Sequence, residues 1–445
     1  MDGTNAAMLT DLYELTMADS YHRRGMNGRA TFDLFVRKLP SQRSFLVACG
    51  IADALAYLET MSFDDAAIDF LDGLGMFSDG FLGYLRDLSF TGDVMAVGEG
   101  DVVFAEEPLL RVTAPLIEAQ IVETFLLNCV GFQTMVASKA ARVAIACGDR
   151  TFVDFSPRRD HGADAALKAA RASYVGGASA TSNVLAGSEY GIALSGTMAH
   201  SYVMAFPSEI EAFRAFAHDF PHNAVLLIDT FDVEQGARHA GEVALELRGN
   251  GGHLAGVRID SGDLVTLSGR VRAILDDAGA KEARIVASGD LDEYRIAELL
   301  KSDPPIDAFG VGTQLGTSGD QPSLGCVYKL VADDHGPKIK LSAGKATLPG
   351  CKQVYRFMRD GRYEHDLIAL EDEDVRGARP LLHAAMSAGE RTAEPAPLDA
   401  IRARCLDALA ELPDELLSLE GNAPYPVRHS ETLDRLVAEM HRRSQ

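Results

Sequence analysis

The sequence lacks paired cysteines, long apolar stretches and an excess of basic residues, and each absence excludes a class of protein. Its six cysteines are scattered without a C-x-x-C pair, which is typical of reduced thiols rather than a disulfide framework. No stretch of about 18 apolar residues is free of charged, Gly or Ser interruptions, so we expect no transmembrane helix. The first 16 residues carry Asp2, Asp11 and Glu14 and no basic region, unlike a signal peptide. These features predict a cytoplasmic protein.

The deficit of positive charge excludes further partners. Lys and Arg number 42 against 65 Asp and Glu, for a net charge of −23. This balance argues against general nucleic-acid binding and against docking on an anionic membrane. The absence of a G-x-x-x-x-G-K-[ST] motif argues against a P-loop nucleotidase. A small anionic substrate remains possible, because anion sites are local.

What is present indicates a large globular protein. The 445 residues are 47% hydrophobic and 24% charged, enough for a sizeable core without a disulfide or metal. Near the start, the pattern predicts a helix over 11–21, a half-buried strand over 30–37 and a mostly helical stretch over 113–146. Short apolar runs then recur, with helical segments such as 209–220 and 264–277 between several of them; the runs are 151–155, 192–195, 224–228, 254–259, 284–287 and 308–311. Such a series predicts parallel βαβ units in a barrel or doubly wound sheet.

A Ser-Gly-Asp triplet follows the apolar runs three times, at 261–263, 288–290 and 318–320. Ordinary strand-to-helix turns, with Ser capping a helix and Gly turning the chain, would explain any single copy. Three copies on the carboxyl face of one sheet would instead border an active site.

Several other candidates for chemistry follow the predicted strands. The Gly-rich segment 310–319 could hold a phosphate, and Arg158 with Arg159 could bracket an anion. Arg258 lies within an apolar run, so it either pairs with Asp260 or Asp229 or points into a pocket.

A histidine and two acids complete the set. His200 follows the run at 192–195, and either packs in the core or acts as a nucleophile or base. Asp229 and Asp232 follow the run at 224–228, where an aspartate could orient an imidazole. Together these residues predict a pocket for an anionic, phosphate-bearing substrate.

At these residues the chain resembles the nicotinate phosphoribosyltransferase family over nearly its whole length. The motifs that carry the resemblance lie at 11–17, 155–159, 182–187, 196–201, 229–232, 256–263 and 310–313. The resemblance implies synthesis of nicotinate mononucleotide and pyrophosphate from nicotinate and phosphoribosyl pyrophosphate, the first step from nicotinate towards NAD. It further implies ATP as co-substrate, Mg²⁺ whose protein ligands stay unidentified, and a homodimer with the active site at the subunit interface. ATP coupling would class the pentosyl transfer as a ligase reaction and make the chain a phosphoprotein.

The resemblance also implies residue roles. ATP would transiently phosphorylate His200, and Asp229 would orient it. Arg258 and Thr197 would hold the nicotinate carboxylate, while Phe155 and Tyr13 would sandwich the pyridine ring, with Tyr13 coming from the other subunit. The phosphoribosyl group would contact a further set: Arg158, Asp260, Gly289, Gly312 and Thr313.

The implied fold is an irregular TIM-like α/β barrel of the type II phosphoribosyltransferase kind. We expect the barrel over 131–324, an N-terminal α+β domain over 1–130 completed by 325–390, and a C-terminal helical segment over 391–445.

Three alternatives remain open. A nicotinamide enzyme would place an acidic residue where this chain has Ser182 and Asn183, because a carboxylate there would accept from an amide and repel nicotinate. A non-catalytic phosphosugar or nucleotide sensor could share the scaffold. A type I phosphoribosyltransferase is disfavoured, since residues 228–232 only loosely imitate its paired acids.

Overall fold

The structure, a computed structural model, describes residues 3–342, 347–421 and 423–443. The chain divides into two compact units, residues 1–138 with 321–445 and residues 139–320. Besides 3₁₀ helices at Gly3–Met8 and Asp414–Leu416, the elements up to the second unit are α1 (Leu12–Arg23), β1 (Arg29–Val36), β2 (Leu46–Val47), α2 (Ile51–Thr60), α3 (Asp65–Gly73), α4 (Asp79–Arg86), β3 (Asp93–Ala96), β4 (Val102–Val103), β5 (Pro108–Pro115), α5 (Leu116–Ile121) and α6 (Glu123–Cys147).

The second unit alternates strands and helices. Its elements are β6 (Thr151–Asp154), α7 (Ala163–Val175), β7 (Ala180–Thr181), α8 (Val184–Tyr190), α9 (His200–Met204), α10 (Glu209–Asp219), β8 (Ala224–Leu227), α11 (Val233–Gly249), β9 (Leu254–Ile259), α12 (Leu264–Asp277), β10 (Arg284–Ala287), α13 (Glu293–Leu300), β11 (Ala308–Val311) and α14 (Thr313–Gly316).

The chain then returns to the first unit. The remaining elements are β12 (Cys326–Asp333), β13 (Gly336–Pro337), β14 (Lys352–Arg359), β15 (Arg362–Leu370), β16 (Arg379–Pro380), β17 (His383–Ser387), β18 (Glu390–Arg391), α15 (Leu398–Ala410), β19 (Val427–His429) and α16 (Glu431–Arg443).

The first unit is built on a seven-stranded sheet in the order β13-β12-β1-β5-β3-β17-β18. Strand β1 lies inside it, antiparallel to both β12 and β5, and all its residues after Arg29 are buried. Helix α1 packs on the core through Leu15 and Ala18. The expected helix over 11–21 and strand over 30–37 therefore form within two residues of their predicted ends.

Residues 391–445, expected as a separate helical segment, cluster with the first unit. The physical reason is β19, which pairs in parallel with β15 in a second sheet of the order β16-β14-β15-β19. The stretch 113–146 also differs from the expectation, because its first residues close β5 and two helices follow, α5 and α6.

The second unit contains an open parallel sheet in the order β7-β6-β11-β10-β9-β8. Its strands are apolar and its core is continuous, with Leu226, Val257, Ile285 and Phe309 fully buried between the helices. Because the terminal strands β7 and β8 do not pair with each other, the sheet is a curled half-barrel rather than a closed cylinder.

One expected strand is wrong. Residues 192–195 form only an isolated bridge from Leu194 to Thr181, because they lie beyond the two-residue edge strand β7 and Leu194 is 55% exposed. His200 accordingly starts α9 instead of ending a strand.

Among the described residues, no helix is long and apolar enough to cross a membrane.

Candidate functional site

The carboxyl ends of β6, β8, β9, β10 and β11 meet at one edge of the parallel sheet in the second unit, as the parallel pairing requires. The residues that follow these strands are the ones singled out from the sequence: Phe155, Asp229, Asp260, Ser288 and Gly312. In parallel sheets this edge is where ligands bind.

The groups expected to hold nicotinate lie together. The Arg258 guanidinium donates from Nη2 to the Met198 carbonyl at 3.2 Å, and Thr197 Oγ1 donates to the same oxygen at 3.3 Å. The Arg258 guanidinium carbon also lies 5.9 Å from the centre of the Phe155 ring. A planar cation, a hydroxyl and an aromatic face thus converge, which suits an aromatic carboxylate.

Arg258 is held in an unusual electrostatic state. Burial lowers the pKa of its guanidinium, and the charge of Arg158 lowers it further, while Asp260 and Asp229 oppose the shift. Its Nε is buried without a hydrogen-bond partner among the described residues. A desolvated cation with an unused donor is ready for an incoming anion.

His200 is oriented by a neighbouring hydroxyl. Its Nδ1 lies 3.1 Å from Thr230 Oγ1. Asp229, the residue expected to orient it, accepts instead from the Asp260 amide at 2.9 Å and from Ser261 Oγ at 2.7 Å, both at Oδ2. The group in contact with the imidazole is therefore Thr230, and the orienting role of Asp229 stays a prediction.

The glycines of the site lie close to atoms of neighbouring strands. Gly289 has a φ of +97°, and a Cβ there would lie 2.0 Å from the Asp260 carbonyl oxygen. A Cβ at Gly310 would lie 2.4 Å from Cε2 of Phe155, and one at Gly312 would lie 3.3 Å from the Phe155 carbonyl oxygen. A side chain at Gly289 or Gly310 would displace its neighbour, whereas at Gly312 the neighbour would have to move by only a few tenths of an ångström.

The phosphate-binding candidates lie on the loops of this edge. Thr313 is exposed at the start of the one-turn helix α14. Arg158 and Arg159 are exposed on the loop after β6. On the same loop, burial raises the pKa of Asp160 to about 6, the charge of Asp154 raises it further, and the hydrogen bond from Ser156 opposes the rise.

Tyr13 belongs to the first unit, on α1, and its side chain is 47% exposed. Burial and the nearby charges of Glu123 and Glu14 raise the pKa of its phenol. Glu14 beside it is buried and accepts from Thr10 Oγ1 and from Thr124 Oγ1 at 2.6 Å. Burial raises the pKa of Glu14 to about 7, against those hydrogen bonds.

Sequence reasoning missed Thr230 and did not identify what the Ser261 and Ser288 hydroxyls contact. Thr230 lies beside a motif aspartate but carries no pattern of its own. Of the two explanations for the Ser-Gly-Asp triplets, helix capping by the serine is wrong, because Asp263 and Asp292 cap α12 and α13. The serine hydroxyls are left for other partners, which the triplet repeat could have signalled.

Family profiles match most of the chain. They describe the nicotinate phosphoribosyltransferase (NAPRTase) N-terminal domain over residues 8–131, the NAPRTase family over residues 151–334 and the nicotinate phosphoribosyltransferase C-terminal domain over residues 376–437.

Individual relatives agree with these profiles. Nicotinate phosphoribosyltransferase pncB2 of Mycobacterium tuberculosis H37Rv is 49% identical over 438 residues, covering 98% of this chain and 93% of the relative. The Bacillus subtilis nicotinate phosphoribosyltransferase is 45% identical over 383 residues, covering 84% and 78%. The crystal structure of human nicotinic acid phosphoribosyltransferase superposes with a TM-score of 0.88 at 30% identity, covering 97% of this chain and 99% of the human chain.

Proposed function

The chain belongs to the nicotinate phosphoribosyltransferase family, and from this premise we propose that it forms nicotinate mononucleotide and pyrophosphate from nicotinate and phosphoribosyl pyrophosphate. The observation that carries the proposal is the convergence of Arg258 and Thr197 on the Met198 carbonyl beside the Phe155 ring. The guanidinium binds the nicotinate carboxylate and the ring stacks on the pyridine, which fixes the pyridine nitrogen towards C1 of the ribose.

The reaction then needs stabilisation of opposite charges. As the C1–pyrophosphate bond breaks, the electron pair leaves with pyrophosphate and positive charge develops on the ribose, before the pyridine nitrogen bonds to C1. Asp260 lies at the strand end expected to contact the ribose hydroxyls, where its carboxylate also favours the developing positive charge. Arg158, Thr313 and the loop amides near Gly289 and Gly312 bind the phosphates.

The carboxylates at this edge could hold Mg²⁺ if substrate phosphates supplied the remaining ligands. Oδ1 of Asp229 is buried without a hydrogen-bond partner among the described residues, and Asp260 follows the adjacent strand. Within the same described part of the chain, no group of three or more His, Cys, Asp or Glu side chains is arranged to hold a metal. Mg²⁺ commonly takes one or two carboxylates and completes its shell with substrate phosphates and water. When bound, the ion would neutralise charge on the leaving pyrophosphate.

ATP coupling is assigned to His200. In the tautomer in which Nδ1 donates to Thr230 Oγ1, the lone pair lies on Nε2. Nε2 attacks the γ-phosphorus of ATP, the bond to ADP breaks, and a phosphohistidine forms that water later hydrolyses. Negative charge on the imidazole would then alter phosphate binding at the same edge.

The decisive experiment is mass analysis of the product from nicotinate and phosphoribosyl pyrophosphate, with and without ATP, in wild type and in His200→Ala. Nicotinate mononucleotide is the expected product, and ATP stimulation is expected only in wild type. Unchanged ATP stimulation in His200→Ala would refute the histidine's role. Preferred turnover of nicotinamide in parallel assays would refute the nicotinate assignment, and no turnover of either pyridine would support the non-catalytic alternative.

A homodimer completes the site in this proposal, with Tyr13 stacking on the pyridine bound by the partner copy. The exposure of Leu12 (52%) and Tyr13 (47%) on α1 supports this contact. Mixing two impaired variants, Tyr13→Ala and Arg258→Met, is expected to raise activity above that of either variant alone, because a mixed dimer contains one intact site. A chain that sediments as a monomer while active would contradict the proposal. The cytoplasmic location stays a prediction.

A further inference from the structure

Hydroxyl groups hold the carboxylates along the carboxyl edge of the parallel sheet. In each case a Ser or Thr on or just after one strand donates to an aspartate at the end of the adjacent strand. The three hydrogen bonds are Thr181 Oγ1 to Asp154 Oδ2 at 2.8 Å, Ser261 Oγ to Asp229 Oδ2 at 2.7 Å, and Ser288 Oγ to Asp260 Oδ1 at 2.5 Å.

The sheet register produces this pattern for Ser288. Strands β9 and β10 pair in parallel with Ile259 opposite Ala287. The ladder continues one step beyond the strands, since the Ser288 amide donates to the Ile259 carbonyl at 2.9 Å. This bond fixes the Ser288 backbone beside Asp260, so the hydroxyl reaches the carboxylate without a change in the chain path.

Two further constraints make the Ser288 contact rigid. Ser288 is 4% exposed, so water does not compete freely for its hydroxyl. The next residue, Gly289, packs so tightly that a Cβ there would lie 2.0 Å from the Asp260 carbonyl oxygen. The Asp260 carboxylate is therefore fixed at Oδ1, while Asp260 as a whole stays partly exposed at the site.

We propose that Ser288 is a positioning residue for phosphoribosyl pyrophosphate: it orients the Asp260 carboxylate that contacts the ribose hydroxyls. The inference rests on the proposed role of Asp260 and deepens it. A carboxylate already held in place loses less rotational freedom when the ribose binds and stays aligned as C1 becomes positive.

The effect on catalysis should be selective. A hydrogen bond to a charged group is stronger than one between neutral groups, so a tenfold loss is a conservative expectation when only orientation is lost. For Ser288→Ala we expect kcat/KM for phosphoribosyl pyrophosphate to fall about tenfold while the KM for nicotinate changes less than about twofold. A general loss of structure would affect both substrates.

The experiment is a double-mutant cycle on the full chain with Ser288→Ala, Asp260→Asn and the combined variant. The matched control is Ser268→Ala, which removes another buried serine hydroxyl, one that donates to the Val265 carbonyl at 3.1 Å within α12. Kinetics for both substrates and thermal midpoints are measured for all variants.

Support requires the selective loss in Ser288→Ala, no further loss when it is added to Asp260→Asn, and near wild-type kinetics in Ser268→Ala. Wild-type kinetics in Ser288→Ala, an additive loss in the combined variant, or an equal loss for both substrates with a lowered midpoint would each overturn the positioning role. If Asp260→Asn itself leaves phosphoribosyl pyrophosphate kinetics unchanged, the proposed role of Asp260 fails, and the inference fails with it.

Discussion

Replacing Arg258 by methionine should remove nicotinate binding without destabilising the fold. The guanidinium is largely desolvated, its Nε is unpartnered among the described residues, and its Nη2 donates to one backbone carbonyl, that of Met198. Burying a charge costs free energy unless it is paired and hydrogen-bonded, and an apolar side chain of similar volume at this position removes that cost. The thermal midpoint is therefore expected to stay level or to rise by a few degrees.

Although the thermal midpoint should not fall, kcat/KM for nicotinate should decrease. Truncating one partner of a buried, hydrogen-bonded charge pair costs about 2–5 kcal/mol, so kcat/KM for nicotinate should fall at least about 30-fold. The KM for phosphoribosyl pyrophosphate should change little, and the preference for nicotinate over nicotinamide should shrink, because the amide carries no charge.

The assay combines steady-state kinetics with both pyridines and thermal unfolding, and Arg258→Lys serves as the matched variant that keeps the charge without the planar fork. A midpoint several degrees lower in Arg258→Met would identify a structural arginine. A raised KM for phosphoribosyl pyrophosphate with unchanged nicotinate kinetics would place Arg258 on the phosphates instead.

Two further outcomes are expected. Burial raises the pKa of Glu14 from 4.5 to about 7, so its contribution to stability is fully present below pH 4.5 and is lost as the pH rises from there through about 7. Glu14→Gln should therefore flatten the pH dependence of the thermal midpoint between pH 4.5 and about 7, and parallel pH curves for the two proteins would contradict this. Gly310→Ala should displace the Phe155 ring, which lies 2.4 Å from the new Cβ position, and raise the KM for nicotinate about tenfold. The control Gly269→Ala, in open space on α12, should instead stabilise the folded protein by roughly 0.5–1 kcal/mol. Equal nicotinate kinetics in the two variants would refute the close packing at Gly310.

The sequence motifs predicted the family and the fold class, and both are confirmed. Strands β8, β9, β10 and β11 were predictable because each is a short apolar run between helical patterns, and such runs are buried wherever helices cover both faces of the sheet. Strand β7 was not, because two residues carry no periodicity. The segment 192–195 has the same apolar character, but it lies outside the edge strand β7 and no further strand flanks it in the described sheet. It therefore forms one bridge instead of a strand.

The candidate site was predictable only where a residue is unusual in its own segment. Arg258 stands out because it is a charge inside an apolar strand, and His200 stands out within a segment of small residues. Thr230, Ser261 and Ser288 are ordinary turn residues by composition. Their partners all lie more than 25 residues away along the chain. The partners of Ser261 and Ser288 follow the adjacent strand, and the partner of Thr230 begins α9, so only the tertiary fold reveals what the three hydroxyls contact.

The hydroxyl donors also explain how an anion site can exist beside so many acids in a chain of net charge −23. Asp154, Asp229 and Asp260 all lie at the edge that is proposed to bind nicotinate and pyrophosphate. They receive hydrogen bonds from neutral hydroxyls and amides. If arginines paired with them instead, each guanidinium would be neutralised before substrate arrived. Neutral donors fix the carboxylates without using a cation, so Arg258 keeps its charge for the substrate. The charges of Asp229 and Asp260 in turn oppose the lowering of its pKa by burial, so the same acids that repel an anion at a distance stabilise the charged form of its binding group.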